Sequence, residues 1–230
     1  HNEGKDSSHG EFLNLKGVMI GNPLIDTAIN MPFALQQWEV NAVIPHGTFD
    51  ALNVACNFSD SEFYIKMMMG QNMVCLDLLM QQLQYIEGID IYDLFRDTCI
   101  EKAQDTDLCV ISHLREYMNE PKVQEAFKVR KTVEWTDCFD INYSLDQYRS
   151  SLPSIQTMID KKLKIMIYSG DVDGSTPYWT TVAALEELGL AVEEPMKVYR
   201  FNGQVAGRIV KYKGLSLVTV SNAGHLVPWT

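Results

Sequence analysis

KLKIMIYSGDVDGSTP (residues 162–177) opens as a nearly continuous apolar run and breaks at Ser-Gly-Asp. A strand buried on both faces reads this way, because neither face has to be polar. Residues 177–189 place Val182, Ala184, Leu185 and Leu188 on one side and stop at Gly189, the pattern of an amphipathic helix with a glycine end. Residues 196–214 predict two strands around a glycine-rich turn, and residues 215–225, LSLVTVSNAGH, predict another buried strand running into a turn. Strand, helix, hairpin, strand is the order of an α/β sheet.

Open α/β sheets hold their sites beyond the carboxyl ends of the strands. Two of the predicted strands end in reactive side chains: Asp171 and Asp173 after the first, His225 after the last. A histidine with a near-neutral pKa can take a proton from a hydroxyl and return it to a leaving group. A carboxylate behind it fixes the tautomer and stabilises the imidazolium. Acid first, histidine later is the chain order of α/β-hydrolases, in which a serine precedes both. These residue types do not choose between Asp171 and Asp173. No G-x-S-x-G sequence occurs, and Ser169 and Ser175 sit beside the acid rather than on a nucleophile elbow. His46 and His113 lack a comparable setting and are read as structural, His1 and His9 as surface or terminal residues.

Towards the amino terminus, residues 12–26 contain a short apolar run halted by Gly-Asn-Pro, a strand with a turn. Residues 32–83 read as mainly helical, with a stripe of Met67, Met68, Met69, Met73, Leu76 and Leu79 assigned to core packing. Residues 85–109 are irregular, with strand-like character at 89–99 and a polar linker after it. Residues 112–129 are helical, with Pro121 starting a second helix. One domain is expected over residues 1–230, with a helical insertion and linker at about 31–160.

The 230 residues are 46% hydrophobic and 21% charged, a globular composition, and carry a net charge of −11. With no basic stripe, that charge argues against nucleic acid as a partner. No apolar run is long enough to span a membrane. Cys56, Cys75, Cys99, Cys109 and Cys138 include no C-x-x-C pair, so neither a zinc nor a dithiol redox site is expected. Two short-range disulfides would leave one cysteine over for a partner elsewhere. Buried thiols are the alternative. Sequons at Asn57 and Asn142 lean the same way as the disulfides, towards an oxidising compartment.

Six blocks in order resemble the serine carboxypeptidases, especially the plant-type second class. They are LNLKGVMIGNPLID (13–26), WEVNAVIPHGTFDALNVACNFS (38–59), IDIYDLFRDTC (89–99), YMNEPKVQEAFKV (117–129), SGDVDGSTP (169–177) and NAGHLVP (222–228). The resemblance implies an α/β-hydrolase fold present as its carboxy-terminal part, with a mostly helical insertion. It implies Asp173 as the triad acid and His225 as the general base. It further implies bridges Cys56–Cys75 and Cys99–Cys109, with Cys138 paired to a cysteine in an amino-terminal part. Arg208 follows the glycine pair 203–207 where the family commonly has tryptophan. The family's serine lies upstream of a segment like 12–26, and its last helix lies beyond a segment like 222–228, so the sequence reads as truncated at both ends.

The implied activity is release of C-terminal residues from peptides at acidic pH through an acyl-enzyme, without cofactor or metal. The serine then comes from a segment absent here. The implied location is the secretory pathway, ending in lysosome, vacuole or outside the cell. A homodimer is compatible with the resemblance. Two other readings stand beside it: a catalytically inactive structural or binding subunit, and an acyltransferase of the same family.

Overall fold

The structure is a computed structural model that describes residues 13–58, 60, 66, 69–99, 109–129, 134–136 and 150–229. The described residues group into two compact units. One draws on His1–Glu87, Ile91–Phe95 and Arg149–Thr230, the other on Gly88–Asp90 and Arg96–Tyr148.

The first unit is built on a single sheet. Its strands are β1 (Gly17–Gly21), β2 (Lys164–Gly170), β3 (Val192–Phe201), β4 (Gln204–Tyr212) and β5 (Leu215–Val220). Their spatial order is β1-β2-β5-β4-β3. β1, β2 and β5 run parallel, with Ile20 opposite Ile167 and Ile167 opposite Leu217. β4 and β3 continue the sheet antiparallel. The β3–β4 connection is Asn202-Gly203, both at positive φ, which is the backbone a two-residue hairpin turn of this twist requires.

Ile165 and Ile167 of β2 and Leu215 and Leu217 of β5 point into one core. Helices α6 (Leu152–Asp160) and α7 (Tyr178–Glu186) close that core with Ile155, Ala184 and Leu185. The expectation that β2 is buried on both faces holds on one face only. Met166 and Tyr168 alternate to the other side, where Met19 of β1 is 70% exposed. The helices just named cover only the first face, so burial follows a period of two rather than a continuous run.

Helices α1 (Thr27–Val40), α2 (His46–Cys56) and α3 (Met73–Ile86) form a second core around Leu35, Trp38, Leu52 and Leu79. α1 starts before Pro32, earlier than the sequence reading placed it. Asp26 caps it by accepting the N–H groups of Ala28 and Ile29 at 2.9 and 3.3 Å. Asn72 caps α3 through the Cys75 N–H at 3.1 Å. Met69 and Met73 are exposed, not core; Met67 and Met68 lie outside the described residues. Cys56 and Cys75 are joined inside this core. Their bond closes a sequence separation of 19 residues, which by loop-closure entropy stabilises the protein by about 3 kcal/mol. Replacing both cysteines by alanine is expected to lower the urea midpoint, with a slope that rises somewhat as the unfolded chain expands.

The second unit holds α4 (Val110–Met118) and α5 (Pro121–Ala126), with Pro121 at the first helical position as read from the sequence. Cys99 and Cys109 are joined ahead of α4. Asn119, between the helices, pairs its side chain with both backbone groups of Trp135 at 2.8–2.9 Å. No described helix is long and apolar enough to cross a membrane.

Glu194 on β3 accepts from Lys197 and from Lys211 of β4. Lys197 first and Lys211 second hold its carboxyl down from an ordinary 4.5 to about 2. A depressed acid pKa stabilises the folded state above the unfolded value, and that contribution fades as pH falls from 4.5 through about 2. Glu194→Gln is therefore expected to lower the denaturation midpoint at pH 5 but not at pH 2. The difference shrinks with salt, because the carboxylate and both lysines lie at the surface.

Candidate active site

The three parallel strands end at Gly21, Gly170 and Val220, and just past those ends lie Asn22, Asp173 and His225. This is the crevice position of an open α/β sheet. After β2 the chain folds back on itself, because the Asp173 Oδ1 accepts the N–H groups of Ser175 at 2.8 Å and Thr176 at 3.1 Å. An aspartate closing its own turn in this way holds its second oxygen in a fixed direction. Pro177 then leads into α7.

The Asp173 side chain is completely buried, while that of His225 is 28% exposed. Asp173 Oδ2 lies 2.9 Å from His225 Nδ1. An ionised carboxylate only accepts hydrogen bonds, so this contact puts the imidazole proton on Nδ1 and leaves Nε2 basic. Asn22 donates from Nδ2 to the same Oδ2 at 2.6 Å, and its Oδ1 accepts the Gly170 N–H at 3.3 Å. Each carboxylate oxygen thus has more than one donor, which is what makes a fully buried charge tolerable. Asp171 does a different job. It is exposed, and its Oδ1 accepts the Asn222 N–H at 2.7 Å, tying the acid loop to the histidine loop. The choice between the two aspartates, which the residue types leave open, is geometrical: Asp173 meets the imidazole.

Residues 91–95 cross both loops. The Gly174 N–H donates to Ile91 O at 3.0 Å and the Leu94 N–H to Val172 O at 3.1 Å, gripping the acid loop on either side of Asp173. The His225 N–H donates to Tyr92 O at 2.6 Å, and the Tyr92 ring lies 5.2 Å from the imidazole. Trp38 of α1 adds a bond from Nε1 to Gly174 O at 2.8 Å. The strand-like character expected at 89–99 is absent. Within residues 91–95 the Ile91 O, Tyr92 O and Leu94 N–H groups bond to the two loops, not to a ladder.

The remaining sequence-predicted positions are dispersed. Asn57 is exposed at the end of α2 in a left-handed conformation. Cys138 and Asn142, with His1 and His9, lie outside the described residues. His46 and His113 lie at the surface, and His46 reaches Glu39 at 3.0 Å and Asp50 at 3.4 Å. Among the described residues no cluster of three or more His, Cys, Asp or Glu side chains could hold a metal ion. Sequence reasoning missed Asn22 and Thr176. Asn22 was visible only as the middle of a strand-stopping Gly-Asn-Pro, and its positive φ of 38° is what swings its amide towards the acid.

A mixed sheet with an acid and then a histidine past its parallel strand ends defines the α/β-hydrolase class. The fold of KEX1(delta)p, a prohormone-processing carboxypeptidase from Saccharomyces cerevisiae, superposes with a TM-score of 0.74 at 16% identity, over 99% of this chain and 54% of that one. The chain belongs to the serine carboxypeptidase family, whose model matches residues 1–230. Serine carboxypeptidase II-1 of Hordeum vulgare is 30% identical over 94% of this chain and 71% of its own length. Serine carboxypeptidase-like 34 of Arabidopsis thaliana is 28% identical over 99% of this chain and 52% of its own. The chain therefore spans about half the length of that relative.

Proposed function

We propose that this chain provides the acid–base half of a serine carboxypeptidase acting on peptides, with the nucleophilic serine on a segment outside these 230 residues. The observation that carries the reading is the bond between buried Asp173 and Nδ1 of His225 at the strand ends. In this reading the serine Oγ attacks the carbonyl carbon of the last peptide bond while Nε2 takes its proton. Nε2 then gives that proton to the leaving amine as the C–N bond breaks, leaving an acyl ester. Water attacks the ester with Nε2 again as base, releasing the shortened peptide and restoring the serine hydroxyl. Among the described residues β1 has a sheet neighbour only on its β2 side. A further parallel strand on the free edge would bring its carboxyl end to the same end of the sheet as Asp173 and His225.

Two disulfides support a passage through the secretory pathway, and exposed Asn57 would carry glycan there. The test uses the full-length protein and N-blocked dipeptides. Release of the C-terminal amino acid, with stoichiometric labelling by a serine-directed phosphonate, is the expected result. Neither labelling nor release would leave an inactive family member. Labelling with transfer from sugar esters, but no peptide cleavage, would mean an acyltransferase.

A further inference from the structure

Thr176 lies three residues past Asp173, at the entrance to α7, and is 6% exposed. Its hydroxyl sits among three polar atoms of the site. Oγ1 is 2.9 Å from Asn22 O, 2.9 Å from Asp173 Oδ2 and 3.0 Å from His225 Nδ1. One hydroxyl has one proton to give and two lone pairs to offer. Asn22 O and Asp173 Oδ2 can only accept, and Nδ1 carries a proton to donate. The hydroxyl thus touches the acid, the histidine and Asn22, just past β1, together.

We infer that Thr176 is a positioning residue for the Asp173–His225 pair. Its proton is held by the acceptors on the acid side, and its lone pairs face Nδ1, so the imidazole ring is fixed in the plane of the Oδ2 contact. A threonine suits this better than a serine would by packing alone, since a branched side chain has few rotamers to lose. Its backbone N–H, bound to Asp173 Oδ1 at 3.1 Å, fixes the origin from which the hydroxyl is aimed. The bland alternative is that Thr176 merely satisfies the buried Asn22 carbonyl, and then the histidine is indifferent to it.

The inference rests on the carboxypeptidase reading only for its kinetic arm, and the test is chosen to separate the two. In the full-length protein Thr176→Val keeps the shape and removes the hydroxyl; Thr176→Ser restores it. The valine variant is expected to lose on the order of 10- to 100-fold in kcat with KM within about twofold, as displacement of a catalytic group does. The serine variant is expected to recover most of that loss. The Nδ1 proton resonance of His225 shifts in the valine variant and returns in the serine variant. An unchanged kcat and an unmoved resonance in a folded valine variant overturn the inference. Should the wild type release no amino acid, the resonance arm still decides. Should the valine variant not fold, the wild type is enough. A slowly exchanging Thr176 hydroxyl proton close to the His225 Nδ1 proton supports the assignment, and a hydroxyl in fast exchange with water sinks it.

Discussion

Asp173→Asn in the full-length protein is expected to lower turnover by roughly 10,000-fold, the scale on which a triad loses activity when its histidine is held in the wrong tautomer. The substitution is nearly isosteric, so the cause is not space. Asp173 Oδ2 receives Asn22 Nδ2 at 2.6 Å and His225 Nδ1 at 2.9 Å. Oδ1 receives two backbone N–H groups. An amide has one acceptor end and one donor end. Whichever way it is turned, its NH2 faces groups that are themselves donors. If the NH2 takes the Oδ2 place, the imidazole must put its proton on Nε2, and the nitrogen that should accept the serine proton no longer can. If it takes the Oδ1 place, the turn that aims the side chain opens. Each buried donor left unmatched also costs about 1–3 kcal/mol, so the variant melts earlier. Turnover must therefore be referred to folded protein, counted by circular dichroism and size-exclusion chromatography of the same sample. A folded Asp173→Asn variant within tenfold of wild type would remove Asp173 from the mechanism.

Gly170→Ala is expected to damage folding and turnover together. A Cβ at this last residue of β2 would stand 2.1 Å from Ala223 O and 2.3 Å from Gly224 O. Both obstacles are backbone, in the loop that carries His225, and neither can rotate away as a side-chain tip would. The loop has to retreat by about 1 Å, which strains packing by roughly 1–3 kcal/mol. A shift of that size in a catalytic group is worth about 100-fold in rate. The contrast is Gly47→Ala in α2, where a Cβ meets nothing within 4 Å. There alanine's better helix propensity should leave stability unchanged or slightly raised. Paired denaturation curves and peptide release rates check both. Equal behaviour of the two variants would mean that the close approach at Gly170 is not structural.

Much of this architecture was legible in the sequence. The apolar run at 162–171 announced β2, Gly189 announced the end of α7 and Pro121 the start of α5, since those signals are local. The two motifs that close the strands contain both members of the Asp173–His225 contact. What stayed illegible depends on partners far along the chain. Asn22 read as a turn residue because nothing local reveals that its amide will meet an aspartate 151 residues away. Residues 91–95 read as strand-like because alternating apolar residues look the same whether the backbone joins a ladder or grips two loops. Burial of β2 on one face instead of two, and the exposure of Met69 and Met73, depend on which helices cover which surface. Apolar content alone does not encode that.

The pairing of β1 with β2 has a consequence for how the protein is made. Gly17 to Gly21 leave the ribosome well before Lys164 to Tyr168, their ladder partner among the described residues. At about 5–20 residues per second, the 151 residues between Asn22 and Asp173 take roughly 8–30 s to synthesise. For that interval β1 lacks its β2 partner, while the α1–α3 cluster and its Cys56–Cys75 bond can already close from local contacts. The β3–β4 hairpin forms quickly once made, but the strands on which Asp173 and His225 are hung can align only once β5 has emerged. Assembly of the Asp173–His225 pair thus waits for residues 215–225. A chaperone that shields Gly17 to Gly21 until β2 has emerged would protect the nascent protein against mispairing at that edge.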